Sequence, residues 1–201
     1  MSRIIGLTGG SGAGKTLVSM RFQALGAGAV DADAVYRQLC AENHAMLGAL
    51  QAAFGDILTA DGALDRPKLA QVVFSNAEKL KQLNAITFPY IRAASEARFA
   101  ELAEQGREII LYDAPTLFQT GADALCEDAI GVIASRETRV ARIMERDKLT
   151  HAAACARIDS QPDADFYRAR CRYIIRNDGT ADQLNQQAEK VWGELLAYTG
   201  G

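Results

Sequence analysis

The 201-residue chain has only two histidines, His44 and His151, and its four cysteines, Cys40, Cys126, Cys155 and Cys171, contain no C-x-x-C pair. Zinc-ligand spacing is therefore absent, and chemistry that needs a histidine base has little material to draw on. Cysteines so far apart read as free thiols of a reducing compartment. No apolar run reaches the roughly 18 residues that would cross a bilayer, and the first residues lack the basic-then-apolar pattern of a secretion signal. The expected location is the cytoplasm. Positive charge is not in surplus either: the formal net charge is −3 and the pI is near 5.5, which argues against nucleic acid or an anionic membrane as a partner. Internal repeats, low-complexity tracts and an Asn-Lys-x-Asp guanine motif are missing as well. What remains, at 49% hydrophobic content, is enough for one good core with a smaller appended lobe.

The run Gly9-Gly10-Ser11-Gly12-Ala13-Gly14-Lys15-Thr16 fits G-x-x-x-x-G-K-[ST] and follows the apolar stretch Ile4-Ile5-Gly6-Leu7. Glycines let backbone N–H groups turn inward without Cβ clashes, and a helix that starts near Lys15 aims the positive end of its dipole at an anion. Lys15 is placed to reach the β and γ phosphates of a nucleoside triphosphate, and the Thr16 hydroxyl to join a magnesium ion bridging them. Leu17, Val18, Phe22 and Leu25 supply a helical stripe that stops at Gly26.

Further β-type runs are expected around Ala29 to Val30, at Ile109 to Asp113, at Ala129 to Ala134 and at Tyr173 to Ile175, alternating with helical pattern, which reads as an α/β chain with a parallel five-stranded sheet. The mostly helical stretch of about 70 residues between the second and third runs is far longer than a crossover needs, and reads as an inserted lobe over about 40–106. Its expected punctuation is Gly55 after the Met46, Leu47, Leu50, Phe54 stripe, a turn at Asp61-Gly62, Pro67 near a helix start, Ser75 with Glu78 as a capping box, and Pro89 opening a helix that ends at Gly106. The core is then about 1–39 and 107–201.

Asp31-Ala32-Asp33 follows the second run, so both carboxylates belong at the carboxyl edge of the sheet, where open α/β folds bind ligands. Each has two readings: capping and solvation, or acceptance of a proton from an attacking hydroxyl. Tyr112-Asp113 closes the third run in the manner of a Walker B segment, so Asp113 either holds magnesium through water or caps a turn beside Pro115. Nine of the 16 arginines fall between Arg136 and Arg176, and with Lys148 they outnumber six acids by four. Arg139, Arg142 and Arg146 are three and four apart and share a helix face; taken together they suit a phosphoryl clamp, although each alone is also compatible with a solvated face. Thr150 is a cap for a helix containing Arg157, and 146–170 has the length and charge of a lid.

Taken together, Leu7-Thr8-Gly9-Gly10-x-Gly12-x-Gly14-Lys15-Thr16, Asp31-Ala32-Asp33, Leu83-Asn84-x-Ile86-x-x-Pro89-x-Ile91-Arg92, Asp113-x-Pro115-x-Leu117-Phe118, Arg142 with Arg146-Asp147, Arg157-Ile158-x-x-Gln161 and Asn177-Asp178-Gly179 resemble the dephospho-coenzyme A kinases, a family of P-loop nucleotide kinases. The resemblance spans nearly the whole chain. It implies a single P-loop NTPase-type kinase domain over residues 1–201, with the lobe as acceptor-binding region and a lid. It also implies transfer of the ATP γ-phosphoryl group to the ribose 3′-hydroxyl of dephospho-coenzyme A, the last step of coenzyme A synthesis, with Mg2+ as cofactor. The residues it implies are Asp33, Lys15, Arg142 and Arg146 for catalysis; Gly10, Ser11, Gly12, Ala13, Gly14, Lys15, Thr16, Arg142 and Asn177 for ATP; Asp33, Asn84, Pro89, Arg92, Pro115 and Leu117 for the acceptor; and Thr16 and Asp113 for the metal. A monomer or a small homo-oligomer fits this reading. The chain departs from the family's common pattern at Phe88, where histidine is usual, at Gln119-Thr120-Gly121, and at Ser11 and Ala13. Two readings compete with it. One is another small-molecule kinase acting on a nucleoside or nucleoside monophosphate, and the other is a nucleotide switch that transfers nothing.

Overall fold

A computed structural model describes residues 2–73 and 76–197. Five strands, β1 (Arg3–Thr8), β2 (Gly28–Asp31), β3 (Ile109–Asp113), β4 (Asp128–Ile133) and β5 (Tyr173–Arg176), form one sheet in the order β2-β3-β1-β4-β5. Pairing is parallel, with Leu7 opposite Asp113 on one side of β1 and Thr8 opposite Gly131 on the other. From β1 the chain goes toward one edge of the sheet and from β4 toward the other. A crevice therefore opens at the carboxyl ends of these neighbours, which is where the glycine-rich loop leaves β1. The strands read as short continuous apolar runs because both faces are covered: Ile5, Leu7, Leu111 and Ile130 have no exposed surface.

The described chain divides into two compact units, residues 1–29 with 102–201, and Val30–Glu101. In the first, α1 (Lys15–Ala24) and α9 (Ala181–Ala197) cover the sheet, and Trp192 meets Phe22 edge to face at 6.0 Å. Val18 and Phe22 are buried as their spacing demands, but Leu17 is 54% exposed, because it lies about 100° round the helix from Val18. Leu25 caps α1 and Gly26 turns the chain out of it. Next to the sheet, α6 (Arg136–Asp147) packs Val140 and Ile143 onto Ala154 and Ile158 of α7 (His151–Asp159), which is followed by the short α8 (Ala164–Arg168). Thr150 caps α7 by accepting from the Ala153 N–H.

The second unit has its own core of Met46, Leu50, Ile57, Leu69 and Val73, each worth roughly 1.5–3 kcal/mol on burial. It begins at Val30, earlier than the residue near 40 read from the sequence, because α2 (Ala32–Glu42) lays Tyr36 and Leu39 as well as Cys40 on this core. Gly55 ends α3 (His44–Phe54), the Asp61-Gly62 turn closes a bridge between Leu58 and Leu64, and α4 spans Arg66–Val73. Ser75 lies outside the described residues; Asn76 accepts from the Glu78 and Lys79 N–H groups at the start of α5.

Pro89 does not open a helix. It sits inside α5, which runs unbroken over Ala77–Glu104. The missing N–H removes one hydrogen bond, and good helix formers on both sides outweigh that loss.

Candidate active site

The loop after β1 is braced through its carbonyl groups by Arg139, Arg142 and Asn177. Gly14 precedes α1 with φ +94° and offers no side-chain cap, which leaves the first-turn N–H groups of Lys15 and Thr16 for an outside acceptor. A Cβ on Gly14 would run into Nδ2 of Asn177. That asparagine is 4% exposed and donates to the Ala13 carbonyl at 2.9 Å, so it holds the loop from behind. Asn177 thus stands against the loop's own backbone, with its amide already engaged.

All three arginines of the α6 face reach this loop. Arg139 donates to the Ser11 carbonyl at 2.9 Å and to Gln161 Oε1 at 2.9 Å. Arg142 lies 3.3 Å from the Gly12 carbonyl and 3.5 Å from Asn177 Oδ1, and Arg146 lies 3.4 Å from Ser11 Oγ. Burial pulls the Arg139 guanidinium below the usual arginine value. Arg146 also grips Asp147, which Arg157 shares; hydrogen bonding from Arg146 first, then from Arg157, holds that carboxyl at about 2. The α6 start is fixed by Asp178, which accepts from the Ser135 N–H at 2.6 Å and from Arg176 at 2.7 Å. Burial alone would raise the Asp178 carboxyl, but these donors leave it below the ordinary value.

Lys15 forms an ion pair with Asp113, and both side chains are about one-sixth exposed. Leu7 and Asp113 are register partners on β1 and β3, so the third strand delivers its acid beside the loop. Thr8, fully buried, donates to the Pro115 carbonyl at 3.2 Å and ties the ends of the two strands together. Leu117 is fully buried against Gly6, which leaves it no surface to offer an acceptor. Asp31 resolves to the capping reading: it accepts from the Ala34 N–H at 3.0 Å at the head of α2, and Asp33 stands in that helix's first turn. Asn84, Pro89 and Arg92 lie along α5, and Arg92 pairs with Glu96 at 2.9 Å.

Thr16 and Asp113 are the oxygen donors nearest at hand: Thr16 follows Lys15 in the first turn of α1, and Asp113 is the ion-pair partner of Lys15. Among the described residues no three His, Cys, Asp or Glu side chains form a metal cage. That donor set fits magnesium, which takes one or two protein oxygens and completes its shell with water and substrate phosphate. Sequence reasoning did not foresee the part played by Gln161, whose Oε1 accepts from the Ser11 N–H at 2.8 Å as well as from Arg139. The Thr8 tie was also missed; both residues stand in the motifs Leu7-Thr8-Gly9 and Arg157-Ile158-x-x-Gln161, but nothing in those motifs names their partners.

A parallel sheet with a phosphate loop at its crevice and an arginine-bearing helix against that loop defines a P-loop kinase. Comparison carries this further: a family model described as dephospho-CoA kinase matches residues 3–183, and the chain belongs to that family. It is similar to a dephospho-CoA kinase of Geobacter sulfurreducens, 38% identical over 95% of this chain and 98% of that one. One from Arabidopsis thaliana is 40% identical over 96% and 84%. Among solved structures, a Thermus thermophilus protein, TT1252, superposes with TM-score 0.79 at 30% identity, covering 100% of this chain and 99% of that one. A dephospho-CoA kinase from Campylobacter jejuni gives 0.61 at 26%, covering 96% and 97%. A shikimate kinase from Acinetobacter baumannii, at 0.54 and 15%, shares the fold. No helix among the described residues is long and apolar enough to cross a membrane.

Proposed function

We propose that the chain transfers the γ-phosphoryl group of ATP to the 3′-hydroxyl of the ribose of dephospho-coenzyme A, giving coenzyme A and ADP. The observation that carries this reading is the uncapped start of α1 behind Gly14, with Arg139, Arg142 and Arg146 all directed at the same loop. Open amides, a helix dipole and converging cations are what a polyphosphate tail requires. Relatives carrying the dephospho-CoA kinase name over nearly full length supply the acceptor.

Lys15 exchanges its carboxylate partner for the β and γ phosphates, while Arg142 and Arg146 neutralise charge that spreads over the phosphoryl oxygens as the bond to the leaving ADP oxygen breaks. Asp33 takes the proton of the 3′-hydroxyl as its oxygen bonds to phosphorus. Thr16 and Asp113, the latter through water, would hold Mg2+, which when bound offsets the phosphate charge. Asn84, Pro89, Arg92 and Pro115 serve the acceptor, with 146–170 closing as a lid. Leu117 supports this set from the core. The protein works in the cytoplasm as a monomer or small homo-oligomer, without nucleic-acid or membrane partners, a reading supported by its net charge of −3.

A steady-state assay of ATP consumption with dephospho-coenzyme A, adenosine, AMP and pantothenate as acceptors tests the proposal. The expected result is turnover with dephospho-coenzyme A in clear preference to the other three; preference for adenosine or AMP would overturn it in favour of a nucleoside or nucleotide kinase.

A further inference from the structure

Arg139 is 8% exposed, yet its hydrogen bonds go to neutral acceptors, the Ser11 carbonyl and Gln161 Oε1, and among the described residues no carboxylate pairs with it. A buried guanidinium without a counter-ion is costly. The position is specific: a Cβ on Gly10 would run into Nη2, so the cation lies directly against the loop backbone. Gln161 accepts from both Arg139 and the Ser11 N–H, and Arg139 takes the Ser11 carbonyl, so the two polar backbone groups of Ser11 are locked in one ring. A glutamate at 161 could accept the same two hydrogen bonds and would cancel the charge. The chain has an amide there, which completes the bonding and leaves the cation uncompensated.

We propose that Arg139 is a positioning residue for phosphoryl transfer, whose uncompensated charge behind the phosphate loop, preserved by the neutral acceptor Gln161, takes the bound triphosphate as its counter-ion. The proposal rests on the ATP reading of the loop given above. Arg139 acts through the loop: it quenches the Ser11 carbonyl dipole that would otherwise oppose an anion, and adds positive potential in a region where solvent screens little.

The test is Gln161→Glu, with the Kd of inorganic triphosphate measured by calorimetry and the Tm of the free protein measured alongside. Binding is expected to weaken about tenfold or more with Tm held or raised, since the ring keeps its bonds and gains an ion pair. Unchanged binding overturns the proposal, and so does weakened binding with a lowered Tm, because that is the signature of a brace alone. If Gln161→Glu does not fold, Arg139→Lys decides, since it keeps the cation and loses the forked bonds: triphosphate affinity within a few-fold of the parent is expected even with a lowered Tm, affinity lost together with Tm overturns the proposal, and so does failure of both to fold. A wild-type protein that binds no triphosphate instead brings down the ATP reading, and this inference with it. Triphosphate carries no acceptor, so the result is independent of which alcohol is phosphorylated.

Discussion

Lys15 is held by Asp113 before any nucleotide arrives, so its ammonium is already aligned at the mouth of the loop. Lys15→Ala is expected to weaken ATP binding and to lower kcat/KM by about 10²–10³, read by calorimetry and steady-state kinetics; retention of both would mean that phosphate binds elsewhere. Asp33 has a different signature. A base acts on the hydroxyl only as it attacks, so Asp33→Asn should lower kcat by roughly 10²–10⁴ with the Kd of ATP nearly unchanged. Normal turnover in that variant would remove Asp33 from the role.

Along α5 the strain at Pro89 lies in the body of the helix, where the ring costs about 3 kcal/mol relative to alanine. Pro89→Ala should therefore raise stability, by roughly 1–3 kcal/mol in denaturant unfolding, and a lower midpoint would show that the ring is packed to advantage. Between α6 and α7, Asp147 ties Arg146 to Arg157. Its carboxyl sits at about 2, below the ordinary value near 3.9, so the tie is fully present above the ordinary value and is lost as pH falls through about 2. A carboxyl carbon-13 titration of Asp147 should show its midpoint well below 3.9; a midpoint at the ordinary value would mean the tie does not hold in solution.

These elements also show what a sequence discloses. The five strands were legible because each is a brief apolar run bracketed by turn formers, and Lys15 and Thr16 because their motif is contiguous. Pro89 misled because breaker rules are local, whereas a 28-residue helix is sustained by what flanks the break. Leu17 misled because it stands next to Val18, and two adjacent positions lie about 100° apart on a helix, so only one of them can face the core with Phe22. The Arg139–Gln161–Ser11 ring was out of reach: Ser11 and Gln161 are 150 positions apart, and no short-range pattern joins them. That Arg139, Arg142 and Arg146 share one face could be read from spacing, but the target of that face could not.

For the molecule as a whole, ligand binding to the native state alone should appear as stability. ATP at 100 times its Kd is expected to add about 2.7 kcal/mol, measurable as a raised Tm in scanning calorimetry, and no shift at saturating ATP would contradict a folded-state site. The chain's single tryptophan, Trp192, rests edge-on against Phe22 in the helix that the phosphate loop leads into. Nature has thereby installed the one indole in the nucleotide-binding unit and none in Val30–Glu101, whose aromatic emitters are the tyrosines Tyr36 and Tyr90. Emission excited at the indole band watches one half lose its packing and is blind to the other, so comparing it with far-ultraviolet dichroism would reveal whether the halves melt in concert or in turn.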